Sequence, residues 1–596
     1  MNDKTNNFQM NDKTNNFQMT PFSNFKLPIE YVKHNELSSH ILNDLEFLTP
    51  VDKKNIPIYN IVFNPKTSLG KQCSERWSKQ FTTEKGFLID SQKLYTSLKN
   101  FSFDKNVINN MIKSYETIKK DNNFLEKYQY IDIERLKWAN KSTIFLHILS
   151  CYNISAPIIN LLTPFTVLFI PFFILKIMKL PITFETYKEI LVEQLKNSSI
   201  GKLFYQYNDI SFYKKIYLLM CVGLYVYNIY QNMISCYKFY NNTHFILQQF
   251  DIVNTYLEYT IEKINYFENS IQKYKSYNNF RNDIIKYKNK LMRLHSLVRN
   301  IKAECSLGAK CKNIGHIMKQ FYDLYDSKET NSVLLYSFGF HGYIDTILGI
   351  HENYKHQKIN KITFTKNKTT TFKLKKSYHP SIKENIVKNN INMKKNHIIT
   401  GPNAAGKTTL LKSSIINLIL SQQIGMGFYS SGKISPFDHI HCYINIPDSC
   451  SRDSLFQAEA RRCKNILDCI SEQPDKKHFC IFDELYSGTN PYEAVSSAYS
   501  YLKFISNNTN VRFMITTHYV KLCELIENKK INDKNIPKTN NIVNKNMNTR
   551  IINDMPKYSY KLVNGISNIK GGVSVLKQFN YPNPILKLTK TILNNI

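Results

Sequence analysis

The chain has 596 residues and a mass of 70.0 kDa, enough for several cores and roughly three or four domains of ordinary size. Its 79 Lys and Arg against 46 Asp and Glu give a net charge of +33, which fits a polyanionic partner such as nucleic acid or an anionic membrane face, or else reflects the heavy use of Lys, Asn and Ile throughout. The 12 cysteines are scattered, with no C-x-x-C pair and no His spacing of zinc type, so a disulfide scaffold and a zinc finger are excluded and an intracellular, reducing compartment is expected.

In chain order, residues 1–65 are expected as a low-complexity, disordered tail: residues 1–9 (MNDKTNNFQ) recur as residues 10–18, and the polar residues 1–40 contain no secretory signal. Residues 66–140 mix charged and apolar positions at helical spacing and hold Trp77 and Trp138, the only two tryptophans. In 141–240 two apolar runs are expected as a helical pair. The first, Ser142 to Leu175, has 34 positions without Asp, Glu, Lys or Arg. Its core, Ile158 to Leu175 (IINLLTPFTVLFIPFFIL), approaches the ~20 residues that span a bilayer, with Pro157, Pro164 and Pro171 expected to kink it. The second, Ile216 to Tyr237, is Tyr-rich and bracketed by Lys214, Lys215 and Lys238. Together they read as a transmembrane hairpin with interfacial tyrosines, or as two buried helices of an all-α domain; Asn160, Asn228, Gln231 and Asn232 weigh toward the latter.

Residues 241–350 form a long-helix region. From Gln248 to Ile301 the apolar positions Leu257, Ile261, Ile264, Phe267, Ile271 and Tyr274 recur at spacings of three and four, predicting one long amphipathic helix or two, as a lever arm, a coiled-coil surface or a bundle helix. Leu334 to Ile350 is expected to pack at the entrance of the last domain, 351–596, where residues 360–400 turn to short, strand-like alternation.

That strand pattern ends in His397-Ile-Ile-Thr-Gly-Pro-Asn-Ala-Ala-Gly-Lys-Thr-Thr409, an apolar strand set against a glycine-framed loop and a helix. Gly401 and Gly406 let the backbone wrap an anion, and loop amides with the helix N-terminus turn partial positive charge toward it. Gly401, Pro402, Asn403, Ala404, Ala405 and Gly406, with Lys407, Thr408 and Thr409, are therefore the candidate nucleotide-binding set. Lys407 is placed to reach the β- and γ-phosphates, and the Thr408 hydroxyl to bind Mg²⁺. The next helix, Thr408 to Ile424, is expected to be amphipathic. An apolar strand run, His478 to Glu484, ends in two acids and would deliver Asp483 to the Mg²⁺ shell and Glu484 to the attacking water as general base. A second, Val511 to His518, places His518 at its carboxyl end, positioned to contact the γ-phosphate. Residues 529–557, rich in Asn and Lys, are expected as a disordered loop or a nucleic-acid-binding tail.

Together these residues resemble the ATPase domain of the MutS family of DNA mismatch-repair proteins. The likeness runs through Thr400-Gly-Pro-Asn-Ala-Ala-Gly-Lys-Thr408, Leu420-Ser-Gln-Gln-Ile-Gly425, Asp483-Glu-Leu-Tyr-Ser-Gly-Thr-Asn-Pro491 and Thr516-Thr-His-Tyr519, with Tyr378-His-Pro380 upstream and Tyr560-Lys-Leu-Val-Asn-Gly565 downstream. It implies an ABC-like α/β P-loop NTPase domain, here preceded by a mainly α-helical region with long helices. It also implies ATP and Mg²⁺ as cofactors, DNA as partner and a head-to-tail homo- or heterodimer with composite sites, in which Ser454 reaches the γ-phosphate held by the partner. Residues 1–150 hold no convincing counterpart of the family's mismatch-reading Phe-x-Glu, and no nuclease-like extension is expected after the ATPase. The chain therefore resembles short MutS-related ATPases with apolar segments ahead of the ATPase. The expected function is ATP-dependent DNA binding of the mismatch-repair or recombination type. The alternative is a membrane-anchored ATPase acting on a protein or lipid partner. A structural factor with a degenerate site fits poorly with intact Lys407, Asp483 and Glu484.

Overall fold

The computed structural model describes residues 20–98, 101–162, 169–179, 183–197, 212–301, 307–365, 370–444, 454–527, 541–552, 555–569 and 572–595. The terminal repeat, Pro164 and residues 529–540 of the expected loop lie outside them. The described chain falls into two compact units, one comprising Asn106–Ile264 and Tyr287–Leu334, the other Thr20–Lys105, Asn265–Lys286 and Leu335–Ile596. The linear segments 66–140 and 241–350 thus each contribute to both units, because their helices pack against helices distant in sequence.

The first unit is helical. Its helices include Lys105–Lys120, Thr143–Leu162, Leu307–Asp326 and the part of the 60-residue helix Phe212–Ile271 that ends at Ile264. Phe124 stacks on Tyr325 with ring centroids 3.9 Å apart, and Tyr130 donates its hydroxyl to Met318 O at 2.7 Å. The two apolar runs form an antiparallel pair: Tyr225 Oη donates to Asn160 O at 2.8 Å, and Cys236 Sγ lies 3.7 Å from Ile154 O. Pro157 sits inside the helix Thr143–Leu162, whereas Pro171 falls in the first turn of Ile170–Ile177, where its missing N–H breaks no helical bond. Two described helices are long and apolar enough to cross a membrane. Thr143–Leu162 has a mean hydropathy of 1.5 and is 17% buried, while Lys328–Lys355 at 1.3 is 89% buried and is a core helix.

The second unit opens with residues 20–65, which the structure orders instead of leaving as a tail. Phe25, Leu27, Ile29, Phe47, Tyr59 and Phe63 are all buried there. Polar spacing hid this core, because its apolar residues are scattered and its aromatics are joined to a stack that ends at the distant Tyr343. Phe47, Tyr59, Phe63, Trp77 and Tyr343 stack successively at 4.5, 5.2, 5.3 and 5.8 Å. Arg76 clamps Glu30 through Nε and Nη2 at 3.0 and 2.6 Å. Asp345 accepts from the backbone amides of Lys66 and Thr67 and from the Thr67 hydroxyl, fixing the start of the helix Ser68–Ser78.

The nucleotide-domain sheets follow. A six-stranded sheet runs in spatial order Met555–Asn564, Ile542–Ile552, Asn396–Thr400, Val511–Thr516, His478–Asp483, His439–Tyr443, all parallel except the first. A five-stranded sheet orders Asn389–Asn392, Phe372–Ser377, Ser431–Ile434, Asn360–Phe364 and Met426–Gly427. Residues 542–552 and 555–557, expected as loop, are strands: Ile542, Asn544, Met547 and Thr549 turn inward among solvated Asn and Lys, a pattern with too few apolar residues to read as a strand alone. The helix Lys407–Gln423 packs against strands of both sheets, so nearly every residue in it is buried. The expected amphipathic stripe is therefore replaced by burial on all faces, with Ser and Asn hydroxyls and amides bonding within and beside the helix.

Candidate nucleotide-binding site

The strands Asn396–Thr400, His478–Asp483 and Val511–Thr516 are adjacent and parallel, so their carboxyl ends place Thr400, Asp483 and Thr516 along one edge. This is where ligands bind open parallel sheets. Gly401 leaves the first strand with φ +156°, and Gly406 starts the helix with φ +86°, a left-handed conformation that L side chains rarely adopt. A Cβ at Gly406 would come 3.1 Å from Tyr560 Cδ1. The loop carries Ala404 at φ +61°, and Glu484 and Tyr486 follow the acidic strand at +54° and +58°. Non-glycine left-handed residues cost about 1–2 kcal/mol each, so three of them at this edge mark a backbone held in place by its surroundings.

Lys407 is buried at the loop's centre, and its Nζ donates to Gly401 O at 2.9 Å and to Pro402 O at 3.3 Å. Burial pulls its pKa below the ordinary 10.5, opposed by the charges of Glu484 and Asp483. Thr408 Oγ1 donates to Asp483 Oδ2 at 2.8 Å, and Thr516 Oγ1 bonds the other carboxylate oxygen. Glu484 N donates to Thr516 O at 3.2 Å, which fixes the turn that presents the second acid. Glu484 Oε1 lies 2.7 Å from His518 Nε2. Because a carboxylate only accepts, that nitrogen carries the proton; the 3.0 Å approach of Lys407 Nζ to the same atom is then a close contact and not a hydrogen bond. The hydrogen bond from His518, then the charges of His518 and Lys407, hold the Glu484 carboxyl below its ordinary 4.5 against the opposing effect of burial.

A cavity of about 470 Å³ lies over the loop, lined by Pro402 to Leu410 and Ser413 on one side and by Tyr378, His379, Glu484 and Tyr560 on the other. Burial holds the His379 imidazole neutral, with its pKa down at about 4. Thr409 lines the same cavity. Of the expected set, Gly401 to Thr409, Asp483, Glu484 and His518 are thus brought together. Ser454 stands apart: it is the exposed N-cap of the helix Leu455–Glu472, its Oγ accepting from Gln457 N at 3.3 Å while Gln457 Oε1 accepts from Ser454 N at 2.9 Å.

Residues 397–596 match the family model for MutS domain V. Over that C-terminal third the chain is similar to the MutS family. It is 30% identical over 227 residues to the DNA mismatch repair protein MutS of Persephonella marina, covering 37% of this chain and 24% of that protein. The same-named protein of Orientia tsutsugamushi, strain Ikeda, is 30% identical over 217 residues, 35% of this chain and 22% of its own length, and that of Finegoldia magna 26% over 200, with shares of 33% and 22%. The chain spans less than a quarter of the length of these MutS relatives. MutS domain V is an ATPase domain of P-loop NTPase fold, preceded here by a largely helical region.

The structure also explains MutS-like motifs whose work the sequence does not announce. In Leu420-Ser-Gln-Gln-Ile-Gly425, Gln422 exchanges two bonds with the Phe437 backbone at 2.8 and 2.9 Å, and Gln423 reaches Gln80 O at 2.9 Å and Tyr59 Oη at 2.8 Å. Glu459, which sequence reading passed over beside Ser454, is buried and accepts from Ser487 N, Ser487 Oγ and Gly488 N at 3.1, 2.9 and 3.1 Å. An acid on the apolar face of a helix was the available signal, since a buried carboxylate demands donors. The donor set also suits the cofactors of the family: buried Lys407 with loop amides suits phosphates, and the Thr408 hydroxyl with the Asp483 carboxylate is an all-oxygen pair of the kind Mg²⁺ takes.

Proposed function

We propose that this protein binds and hydrolyses ATP and couples that cycle to DNA binding as a MutS-type dimer. The observation that carries the reading is the convergence of Lys407, Thr408, Asp483, Glu484 and His518 on one strand edge. Backbone amides of residues 403–408 and the Lys407 cation would hold the β- and γ-phosphates. Thr408 and Asp483 would hold Mg²⁺, which when bound draws charge from the phosphate oxygens. Glu484 orients a water in line with the γ-phosphorus and takes its proton as the new P–O bond forms and the bond to the β-phosphate oxygen breaks. His518 fixes the Glu484 carboxylate in that pose. Ser454 uses Oγ only as an acceptor in its cap, which leaves its hydroxyl proton for a γ-phosphate held by a second protomer. The net charge of +33 supports a phosphate-backbone partner. The test is binding of the purified protein to matched, mismatched and branched DNA, with and without ATP, across a salt series. Preference for one DNA form that ATP alters is expected; weak, structure-blind binding lost with salt would overturn the DNA role.

One observation favours a second reading, a membrane-anchored ATPase. The antiparallel pair exposes Ile144, Ile148 and Ile158 on one helix and Tyr217, Leu224 and Tyr227 on the other, each more than half exposed. So much apolar surface on two uncharged runs suits a lipid environment. Flotation with liposomes that resists both salt and alkaline extraction is its expected outcome, and release by salt alone would remove it.

A further inference from the structure

Histidines and a cysteine far apart in sequence meet at the end of the six-stranded sheet opposite the nucleotide loop. His441 lies on the strand His439–Tyr443, His478 opens the strand His478–Asp483, and Cys469 sits in the last turn of the helix Leu455–Glu472. One ring nitrogen each of His441 and His478 and the Cys469 sulfur all lie within 4.8 Å of one another. His441 Nε2 and His478 Nδ1 are 3.2 Å apart. His439 adds a fourth group, its Nδ1 3.7 Å from Cys469 Sγ.

The surroundings fix which nitrogens face inward. His478 Nε2 lies 3.0 Å from Gln473 O, an acceptor only, so this nitrogen carries the proton and Nδ1 presents its lone pair to His441. His439 Nε2 lies 2.9 Å from Gln473 Oε1, which in the same way leaves Nδ1 as the lone pair facing sulfur. One residue, Gln473, thus orients two imidazoles through its backbone and side-chain oxygens, the arrangement by which outer partners fix metal-binding histidines. The rings of His439, His441 and His478 stand within 8° to 16° of parallel, and His441 Nε2, which donates to the His478 Nδ1 lone pair while no ion is bound, offers its own lone pair once that proton moves to Nδ1. An open cavity of about 570 Å³, lined by His439, His441 and Cys469, gives an ion a route in. Of the charges lining it, the Arg462 guanidinium is turned to Cys442 O at 2.9 Å and Asp438 accepts from Lys477 N at 3.0 Å.

We propose that His441, His478 and Cys469, with His439 as the nearest fourth group, form a structural site for Zn²⁺. Imidazole nitrogen with one sulfur is the donor set that Zn²⁺ takes in tetrahedral sites, and binding releases the Cys469 thiol proton to solvent. Such a site ties the last turn of the helix that begins at Ser454 to the amino ends of two strands. It lies about 17 Å along the strand from Asp483, by the ordinary rise per residue, and is independent of the ATPase reading.

The test is the metal content of the purified full-length chain, followed by titration of the stripped chain with Co²⁺. About one equivalent of zinc per chain is expected, with a thiolate-to-cobalt charge-transfer band that Zn²⁺ displaces. Cys469→Ser should lose the band and His441→Gln should weaken Co²⁺ binding at least tenfold, both with unchanged circular dichroism in the presence of nucleotide. A chain that retains no zinc after dialysis and gives no charge-transfer band with Co²⁺ would overturn the site and leave a hydrogen-bonded histidine cluster. If Cys469→Ser does not fold, the wild-type band and its displacement by Zn²⁺ decide alone.

Discussion

His518 Nε2 lies 2.7 Å from Glu484 Oε1, so the second residue past one strand holds the first residue past its neighbour. Both side chains are more than a third exposed, so this pair matters through orientation and proton affinity and not through stability. Glu484→Gln keeps the shape and removes the base; turnover should fall by ~10²–10⁴-fold while ATP binding persists. Steady-state hydrolysis beside a nucleotide-binding titration checks both halves, and normal turnover in this variant would sink the assignment of Glu484.

The same pair fixes the sign of a pH effect. Glu484 is held below 4.5 chiefly by the hydrogen bond from His518, so the carboxylate persists as pH falls and is protonated only below its ordinary range. Whatever the pair adds to folding is present above that ordinary value and is lost as pH falls through the lowered one. In His518→Ala the main lowering cause is gone while burial still raises the pKa, so the acid limb of the rate profile should move to higher pH. A limb that stays in place in that variant would mean Lys407 alone sets the Glu484 pKa.

Lys407 joins the loop to the acids. Its Nζ donates to two loop carbonyls and would supply the charge that phosphates need. Each charge-assisted bond is worth about 1.5–3 kcal/mol, so Lys407→Ala should weaken ATP by at least ~10–100-fold. Equilibrium binding of a fluorescent ATP analogue is the measurement, and affinity within a factor of two of wild type would refute the role.

The phosphate loop, the acidic strand and His518 were legible because each is a local pattern: a strand end, a turn, a fixed offset. What stayed hidden is held by contacts long in sequence. Residues 20–65 read as a tail because Phe25 and Tyr59 are isolated aromatics with partners hundreds of residues away, and Phe47 is held through Tyr59. The strand Ile542–Ile552 was concealed by Asn544, a polar residue turned inward to bond Cys523 O and Glu527. The His439, His441, Cys469 and His478 cluster has no motif spacing, since sheet register and one helix bring it together. The full burial of the helix Lys407–Gln423 likewise follows from the two sheets around it, which no single-helix pattern encodes.

Gln423 tests how the N-terminal segment supports the nucleotide domain. Its amide accepts from Tyr59 Oη and donates to Gln80 O, joining the aromatic stack to the end of the phosphate-loop helix. Gln423→Ala leaves the buried Tyr59 hydroxyl and that carbonyl without these bonds, at about 1–3 kcal/mol for each buried group. The melting temperature should drop by several degrees, while nucleotide affinity, set at the other end of the helix, should change little. The companion Tyr59→Phe removes only the hydroxyl and should cost less. Equal losses in the two variants would place the whole effect in the Tyr59–Gln423 bond and leave the bond to Gln80 without weight.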